Sequence, residues 1–242
     1  MKKQINRNKD IILLTIGTLL IILSLCLMFY DRVELVKSNV FADIEMQKYR
    51  ENNNGEEKSD DNLEVDNAII TDDAIYEIDE MDDENEEKAE TPKKQSESLK
   101  QKIAKEFIGY IEIEKINLKQ GLVSKKSFYN KLYYNIQILS ASSYPDQNMG
   151  NVILASHSGT SPFAYFRNLY LLEKGDEAKI YYKKYIYTYK IVDIYNVPKT
   201  GKVRINRDIH KTCLTLITCT HNSKTEQTVY ILELIDKVKD GK

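Results

Sequence analysis

Residues 11–30, IILLTIGTLLIILSLCLMFY, form a run of 20 residues without a single charge. At 1.5 Å per helical residue, such a run matches the ~30 Å hydrocarbon core of a bilayer. The preceding residues carry four cations, namely Lys2, Lys3, Arg7 and Lys9, whereas the following residues carry charges of both signs. Because positive flanks stay in the cytoplasm, the sequence predicts a cytoplasmic tail over residues 1–10, a transmembrane signal-anchor helix over 11–30 and an extracellular remainder.

A cleaved signal peptide is the main alternative for this N-terminal run. The run is longer than the usual apolar core of 7–15 residues, and no small-x-small cleavage pattern follows it. A lipoprotein signal does not fit either, because the bulky Leu25 precedes Cys26 where a small residue is required. We therefore expect a single-pass protein of the cell membrane with an uncleaved anchor.

The region after the anchor is acidic, and the formal net charge of −2 for the whole chain conceals this. Between about residue 51 and residue 92, Glu, Asp and Asn dominate, and such a segment repels itself and buries little apolar surface. The sequence predicts a largely disordered, acidic stalk over residues 31–95. Ca²⁺ binding by the stalk is a weaker alternative, because the segment lacks the spaced acidic residues and the glycine of a calcium loop.

Residues 96–242 show the pattern of a separate domain built from short strands. Ser96–Phe107 has helical spacing with Ser96 as a candidate N-cap, and Phe163–Leu172 also has the pattern of a short helix. The candidate strands are Phe107–Ile113, Ile116–Leu118, Asn151–Ala155, Ala178–Tyr182, Tyr185–Tyr195, Leu214–Cys219 and Val229–Leu234. Roughly eight strands with few helices over about 135 residues predict a mostly-β domain that forms a closed or nearly closed barrel.

Two residues at strand ends are candidates for chemistry. His157 directly follows the apolar strand Asn151–Ala155 and its neighbour Ser156, and Cys219 ends the apolar strand Thr215–Cys219. A thiol beside an imidazole is the basic unit of Cys–His nucleophilic catalysis. Spacing alone leaves a purely structural role open for both residues, and His221, two residues beyond Cys219, is the reserve candidate for the base.

The cysteines do not form a disulfide framework. Cys26 lies in the apolar run, so that Cys213 and Cys219 are the one pair left. In an extended strand their Cα atoms lie roughly 20 Å apart, whereas a disulfide needs less than about 7 Å. We therefore expect free thiols.

Several segments, in order, resemble one known family. Thr215–Cys219 (TLITC) matches the TLxTC signature of sortases, the Gram-positive transpeptidases that attach surface proteins to the cell wall. Val152–His157 (VILASH) is similar to the family strand that ends in the catalytic His, and Gly109–Ile116 to its first strand pair. Leu169–Ile180 is similar to its helix-to-strand entry. The resemblance covers about residues 105–235 and implies an eight-stranded sortase-type barrel in residues 96–242.

One position departs from the family pattern. Sortases carry a catalytic Arg a few residues after the Cys, and Gln227 stands at that position here. An amide donates hydrogen bonds but carries no charge, and by analogy with removing an oxyanion-hole donor its loss of charge costs about 10²–10³ in rate. The residues that can supply charge instead are Lys224, Arg204 and Arg207.

The resemblance implies a mechanism and partners. Cys219 is the expected nucleophile and His157 its acid–base partner, with Gln227 in the Arg position, while Thr215 and Thr218 are expected to bind substrate and Asn196–Thr212 to form one wall of the groove. The implied substrates are surface proteins with a C-terminal LPxTG-like sorting motif, and the implied acceptor is an amine of a cell-wall precursor. No cofactor, metal or nucleic acid is expected, although some relatives use Ca²⁺.

Three alternatives to this function stay open at the sequence level. A barrel that has lost the Arg could bind sorting peptides without turnover, and a cysteine hydrolase would use water as acceptor. A pilin-type transpeptidase would join protein subunits. That class usually has a second, C-terminal membrane segment, which residues 235–242 do not provide, so we favour a class A- or class B-like anchoring enzyme.

Overall fold

The computed structural model describes residues 2–53, 75–77 and 93–241 of the chain, which divides into two compact units, Met1–Asp43 and Ile44–Lys242. Helix α1 (Lys2–Asn53) makes up the first unit and contributes its last turns to the second. The predicted anchor at residues 11–30 falls within α1, where the apolar side chains from Leu14 to Leu25 are mostly exposed. In the described part of the chain, no helix meets the combined length and apolarity of a membrane span.

The helix extends further than the sequence analysis predicted. Residues 31–53 are helical, where we had predicted the start of a disordered stalk. Burial explains the difference for the last turns, because the side chain of Met46 is only 5% exposed within the second unit. The Tyr49 hydroxyl donates to the carbonyl of Ile108 at 2.6 Å and accepts from the backbone N–H of Lys183 at 3.1 Å. The remaining stalk residues, 54–74 and 78–92, lie outside the described part of the chain.

The second unit is mostly β, as predicted. Its helix α2 spans Lys93–Ala104, so Ser96 lies inside the helix and is not its N-cap. The strands are β1 (Ile75–Glu77), β2 (Phe107–Ile113), β3 (Leu118–Val123), β4 (Gln137–Ile138), β5 (Asn151–Ala155), β6 (Glu177–Tyr182), β7 (Tyr185–Pro198), β8 (Lys202–Arg204), β9 (Cys213–Cys219) and β10 (Glu226–Lys239). Two 3₁₀-helices, Glu114–Ile116 and Leu169–Leu171, complete the elements.

Eight of these strands form one sheet in the order β3-β2-β6-β7-β10-β9-β5-β4. The sheet curls into a nearly closed barrel, and a buried side chain links its two edges. Asn135, just before β4, donates from Nδ2 to the carbonyl of Gly121 in β3 and accepts from Gln120 Nε2, both at 2.9 Å. The strands β1 and β8 pair separately and antiparallel.

Alternation along the strands gives the sheet two apolar faces. Leu214 and Leu216 of β9 face the barrel core together with Val152 and Leu154 of β5. The intervening positions form a second cluster, the outer cluster, whose buried members are Leu132, Leu139, Ile153, Ala155, Val203, Ile205, Ile217, Val229 and Ile231. Loop residues therefore cover the outer face of β5, β9 and β10.

The segment Phe163–Leu172 is not the helix that we predicted. It forms a series of turns and only the short 3₁₀-helix Leu169–Leu171. An α-helix would require the N–H of Phe166 to bond to Pro162, but this N–H donates to the carbonyl of His157 at 3.1 Å. The bond folds the segment back onto the end of β5.

Candidate active site

Strand register sets His157 level with Cys219. The neighbouring strands β5 and β9 run parallel, and Ala155 pairs with Ile217 at the end of their ladder. The N–H of Ser156 also donates to the carbonyl of Ile217, at 3.3 Å. Extended two residues past the end of the ladder, the same register sets His157 opposite Cys219. Both side chains are partly exposed, whereas those of the strands behind them are buried.

Two threonine hydroxyls of β9 fix this register. Thr218 Oγ1 donates to the carbonyl of Ser156 at 2.8 Å, and Thr215 Oγ1 donates to Asn151 Oδ1 at 3.0 Å. Both threonines are buried. Their hydroxyls thus bond within the protein, and their contact with substrate stays a prediction.

Gln227 lies on the other side of Cys219. In the antiparallel ladder between β10 and β9, Gln227 pairs directly with Cys219, and paired residues project from the same face of a sheet. The Gln227 side chain is 1% exposed. His157, Cys219 and Gln227 therefore follow one another across the strands β5, β9 and β10.

This row of residues belongs to the outer face of the sheet. Cys219 packs against the outer cluster, and Val203 and Ile205 cover that cluster from the segment Asn196–Thr212. The segment was predicted to form one wall of a substrate groove, and its two buried residues hold it against the Cys219 face of the sheet. Within the same segment, β8 (Lys202–Arg204) pairs with β1 (Ile75–Glu77).

The three candidate replacements for the family Arg occupy different places. Arg207 donates to the carbonyls of Asp208 and Lys211, at 3.2 Å each. Its guanidinium also interacts with the Cys213 thiol and offsets part of the rise in the pKa of this thiol that burial causes. Arg207 therefore lies at the opposite end of β9 from Cys219, roughly 20 Å away at 3.3 Å per residue. Lys224 is exposed in the turn between β9 and β10, and Arg204 is exposed in β8. These two remain candidates.

The loop after His157 contains residues that the sequence analysis missed. Ser156 Oγ accepts from the N–H of Tyr165 at 3.2 Å and is 3.4 Å from the carbonyl of Phe163, so its hydroxyl organises this loop. Arg167 donates to the carbonyl of Ser161 at 2.8 Å and braces the same loop. The polar Ser156, which ends the apolar run just before His157, was the available signal.

Aromatic rings also lie near the candidate pair. The exposed Tyr133 has its ring centroid 6.1 Å from that of His157. His221 stacks on Tyr170 with centroids 4.0 Å apart and planes at 13°. No sequence pattern distinguished either tyrosine, because this chain contains 17 of them. The register sets His157, and not the reserve candidate His221, opposite Cys219 on the neighbouring strand, and its role as the base stays a prediction.

The other candidate groups are placed away from this site. The backbone N–H of the exposed His210 donates to Asp208 Oδ1 at 2.9 Å, in the segment that enters β9. Cys213 is a free, fully buried thiol, and burial raises its pKa. Within residues that the structure describes, no group of three or more His, Cys, Asp or Glu side chains is arranged to hold a metal ion.

A partly exposed thiol level with an imidazole can perform nucleophilic acyl transfer. The thiolate attacks a carbonyl carbon, and the imidazole moves protons to and from the groups that leave and enter. A buried amide beside the thiol adds a neutral hydrogen-bonding group. The barrel with this row of residues defines a class of protein, the cysteine acyl transferases built on a β-barrel.

Comparison with known proteins identifies the family. The family model described as "Sortase domain" matches residues 111–234, slightly more than half of the chain. The chain therefore belongs to the sortase family and is a cysteine transpeptidase. No curated protein matches it.

Solved sortase structures resemble the barrel at low sequence identity. A sortase D5 transpeptidase of Clostridium perfringens is 25% identical, over 60% of this chain and 93% of that one, with a TM-score of 0.45. Sortase A of Corynebacterium diphtheriae, a lid mutant, is 22% identical over 54% and 70%, with a TM-score of 0.47. A pilus-related sortase C of Group B Streptococcus is 26% identical over 54% and 68%, with a TM-score of 0.46.

Proposed function

We propose that this sortase cleaves an LPxTG-like sorting motif and transfers the acyl group to an amine of a cell-wall precursor, which anchors surface proteins. The observation that supports the proposal is the strand register that sets His157, Cys219 and Gln227 side by side. The partners are then surface proteins with a C-terminal sorting signal and the amine-bearing precursor.

The mechanism has two acyl-transfer steps. The Cys219 thiolate attacks the scissile carbonyl carbon, and the C–N bond breaks as the His157 imidazolium gives its proton to the leaving amine. A thioester on Cys219 remains. The acceptor amine then attacks this thioester and loses a proton to His157, while the C–S bond breaks and the thiolate is regenerated. Backbone N–H groups near Cys219 and the Gln227 amide stabilise the oxyanion of both tetrahedral intermediates.

The uncharged run at residues 11–30 supports a membrane location for this chemistry. We propose that it anchors the enzyme with residues 1–10 in the cytoplasm and the barrel outside. Tethering of the enzyme and its substrates to one membrane raises their effective concentration. Alkaline extraction of membranes should leave the chain in the pellet, and protease added to intact cells should digest the barrel. Release of the chain by alkaline extraction would contradict the anchor.

The experiment that tests the activity uses the 242-residue chain in mild detergent with a set of LPxTG-like peptides and triglycine. We expect amine-coupled product by mass spectrometry, and none from Cys219→Ala. Peptide binding without cleavage, equally strong in Cys219→Ala, would indicate a peptide receptor instead. Product that is only hydrolysed at every triglycine concentration would indicate a cysteine hydrolase. A preference for a lysine side-chain amine over triglycine would indicate a pilin-type transpeptidase.

A further inference from the structure

Two exposed aromatic rings join the chain segments that come after the candidate catalytic pair. Tyr170 lies 13 residues after His157, and His221 lies two residues after Cys219. Their rings stack face to face, with centroids 4.0 Å apart and planes at 13°. The contact is therefore a direct side-chain link between the His157 segment and the Cys219 segment.

The backbone on both sides of the stack is held in place. Tyr170 itself is 48% exposed, but its neighbour Leu169 is fully buried in the barrel core. On the other side, the N–H of Thr220 donates to the carbonyl of Glu226 at 3.0 Å, and Thr220 Oγ1 lies 2.9 Å from Thr228 Oγ1. Because these anchors hold both segments, the two rings meet at the surface without being part of the core.

The position of the stack suggests what it binds. Since β5 and β9 run parallel, the segments after His157 and after Cys219 leave the sheet at the same edge. The leaving and the incoming amine must both reach His157, so the acceptor approaches the thioester at this edge. A ring face attracts an ammonium group, and ring nitrogens and hydroxyls also form hydrogen bonds with amines.

We propose that the Tyr170–His221 stack is the docking element for the amine acceptor of the second step. The inference rests on the proposed function, because it assumes an acyl-enzyme on Cys219. The docked ammonium first releases one proton to solvent. The free amine then attacks the thioester carbon, a C–N bond forms, the C–S bond breaks, and the second amine proton passes to His157. The stack is a specificity element and takes no part in these bond changes.

Water competes with the amine for the acyl-enzyme, and this competition provides the test. The 242-residue chain in detergent is acylated with a peptide thioester of the LPxT type, and triglycine is titrated. We expect Tyr170→Ala and His221→Ala to raise the KM for triglycine about two- to fivefold and to shift product toward hydrolysis, because the ammonium loses an exposed ring face. The rate of acylation should stay within about twofold of the parent rate. A general structural defect would instead lower acylation as well.

Matched variants separate the stack from other effects. Tyr170→Phe keeps the ring and should keep the KM close to that of the parent. Tyr185→Ala is the control, because it removes another exposed tyrosine (39% against 48% for Tyr170) at the start of β7, next to the remote β6–β7 turn. The double variant should be no worse than either single variant, because both remove the same stack. An unchanged ratio of transfer to hydrolysis in Tyr170→Ala, or additive effects in the double variant, would overturn the inference. Absence of any acyl-enzyme in the parent would overturn the proposed function and the inference with it.

Discussion

The two ends of strand β9 carry the same side chain in two opposite situations. Cys213 and Cys219 lie six residues apart, so both project from the same face of the strand. Cys213 is fully buried, its Sγ lies 3.5 Å from the carbonyl of Lys211, and burial raises the pKa of its thiol. Cys219 is partly exposed and level with His157.

The difference between the two ends comes from the chain segments that adjoin them. At the Cys213 end, the segment entering β9 and the residues before β5 fold over the sheet, and the N–H of Cys213 donates to the carbonyl of Gly150 at 2.8 Å. At the Cys219 end, the ladder between the parallel strands stops at the pair of Ala155 and Ile217, and the side chains of His157 and Cys219 beyond it are partly exposed. A thiolate needs a partner and access to react, so the same residue is inert at one end and suited to catalysis at the other.

Replacing each cysteine by alanine should give the largest difference in transfer rate between the two ends of β9. Cys219→Ala should lower transfer of an LPxTG-like peptide to triglycine by at least about 10³-fold, because no covalent intermediate can form. Cys213→Ala should change the rate by less than about twofold and cost about 1 kcal/mol of unfolding free energy for a lost buried sulfur. Mass spectrometry of products and urea unfolding measure the two effects. Equal losses of activity in both variants would contradict the assignment.

A histidine lies near each end of β9, so the same substitution can be compared at the two ends. His157→Ala should lower transfer by about 10²–10⁴, the usual contribution of a general acid–base. His210→Ala, near the Cys213 end, is the matched control and should retain the parent rate. The rate of Cys219 alkylation by iodoacetamide at neutral pH should also fall in His157→Ala, because the imidazolium no longer favours the thiolate. An alkylation rate equal to that of the parent would argue against a coupled pair.

Sequence patterns predicted the strands of this site well, because alternation and apolar runs report local structure. They could not show which end of β9 is open, since that depends on the pairing of β9 with β5, which are far apart in sequence. For the same reason Arg207 was a candidate replacement for the family Arg until the fold placed it beside Cys213. Tyr170 was hidden in a predicted helix, which fails because the N–H of Phe166 bonds to His157.

Replacing Gln227, the amide at the family's Arg position, should lower the rate of transfer less than replacing Cys219 does. Gln227→Ala should lower transfer by about 10²-fold, the low end of what removing one neutral oxyanion-hole donor costs, because backbone N–H groups near Cys219 still stabilise the oxyanion. Gln227→Glu has nearly the same shape and should lower transfer further, because its charge repels the thiolate and the oxyanion. Steady-state kinetics with unfolding controls measure both. A faster Gln227→Glu variant would show that the residue does not face negative charge.

Substitutions of two threonines should have the smallest effects on activity. Each threonine hydroxyl forms a hydrogen bond between β9 and β5, at a different end of the pair. Thr218 Oγ1 donates to the Ser156 carbonyl, adjacent to His157, and Thr215 Oγ1 donates to Asn151 Oδ1, at the start of β5. Valine at either position removes one buried hydrogen bond, which should cost about 1–2 kcal/mol in the free energy of unfolding.

Only Thr218→Val should also lower kcat, by about three- to tenfold, because a shift of the His157 backbone by a fraction of an ångström misplaces the imidazole. The KM for the peptide should stay near the parent value in Thr218→Val if the hydroxyl serves the register. A raised KM with an unchanged kcat would instead support the predicted contact between Thr218 and substrate. An equal loss of kcat in both variants would mean that strand pairing as a whole, and not the open end of β9, limits the reaction.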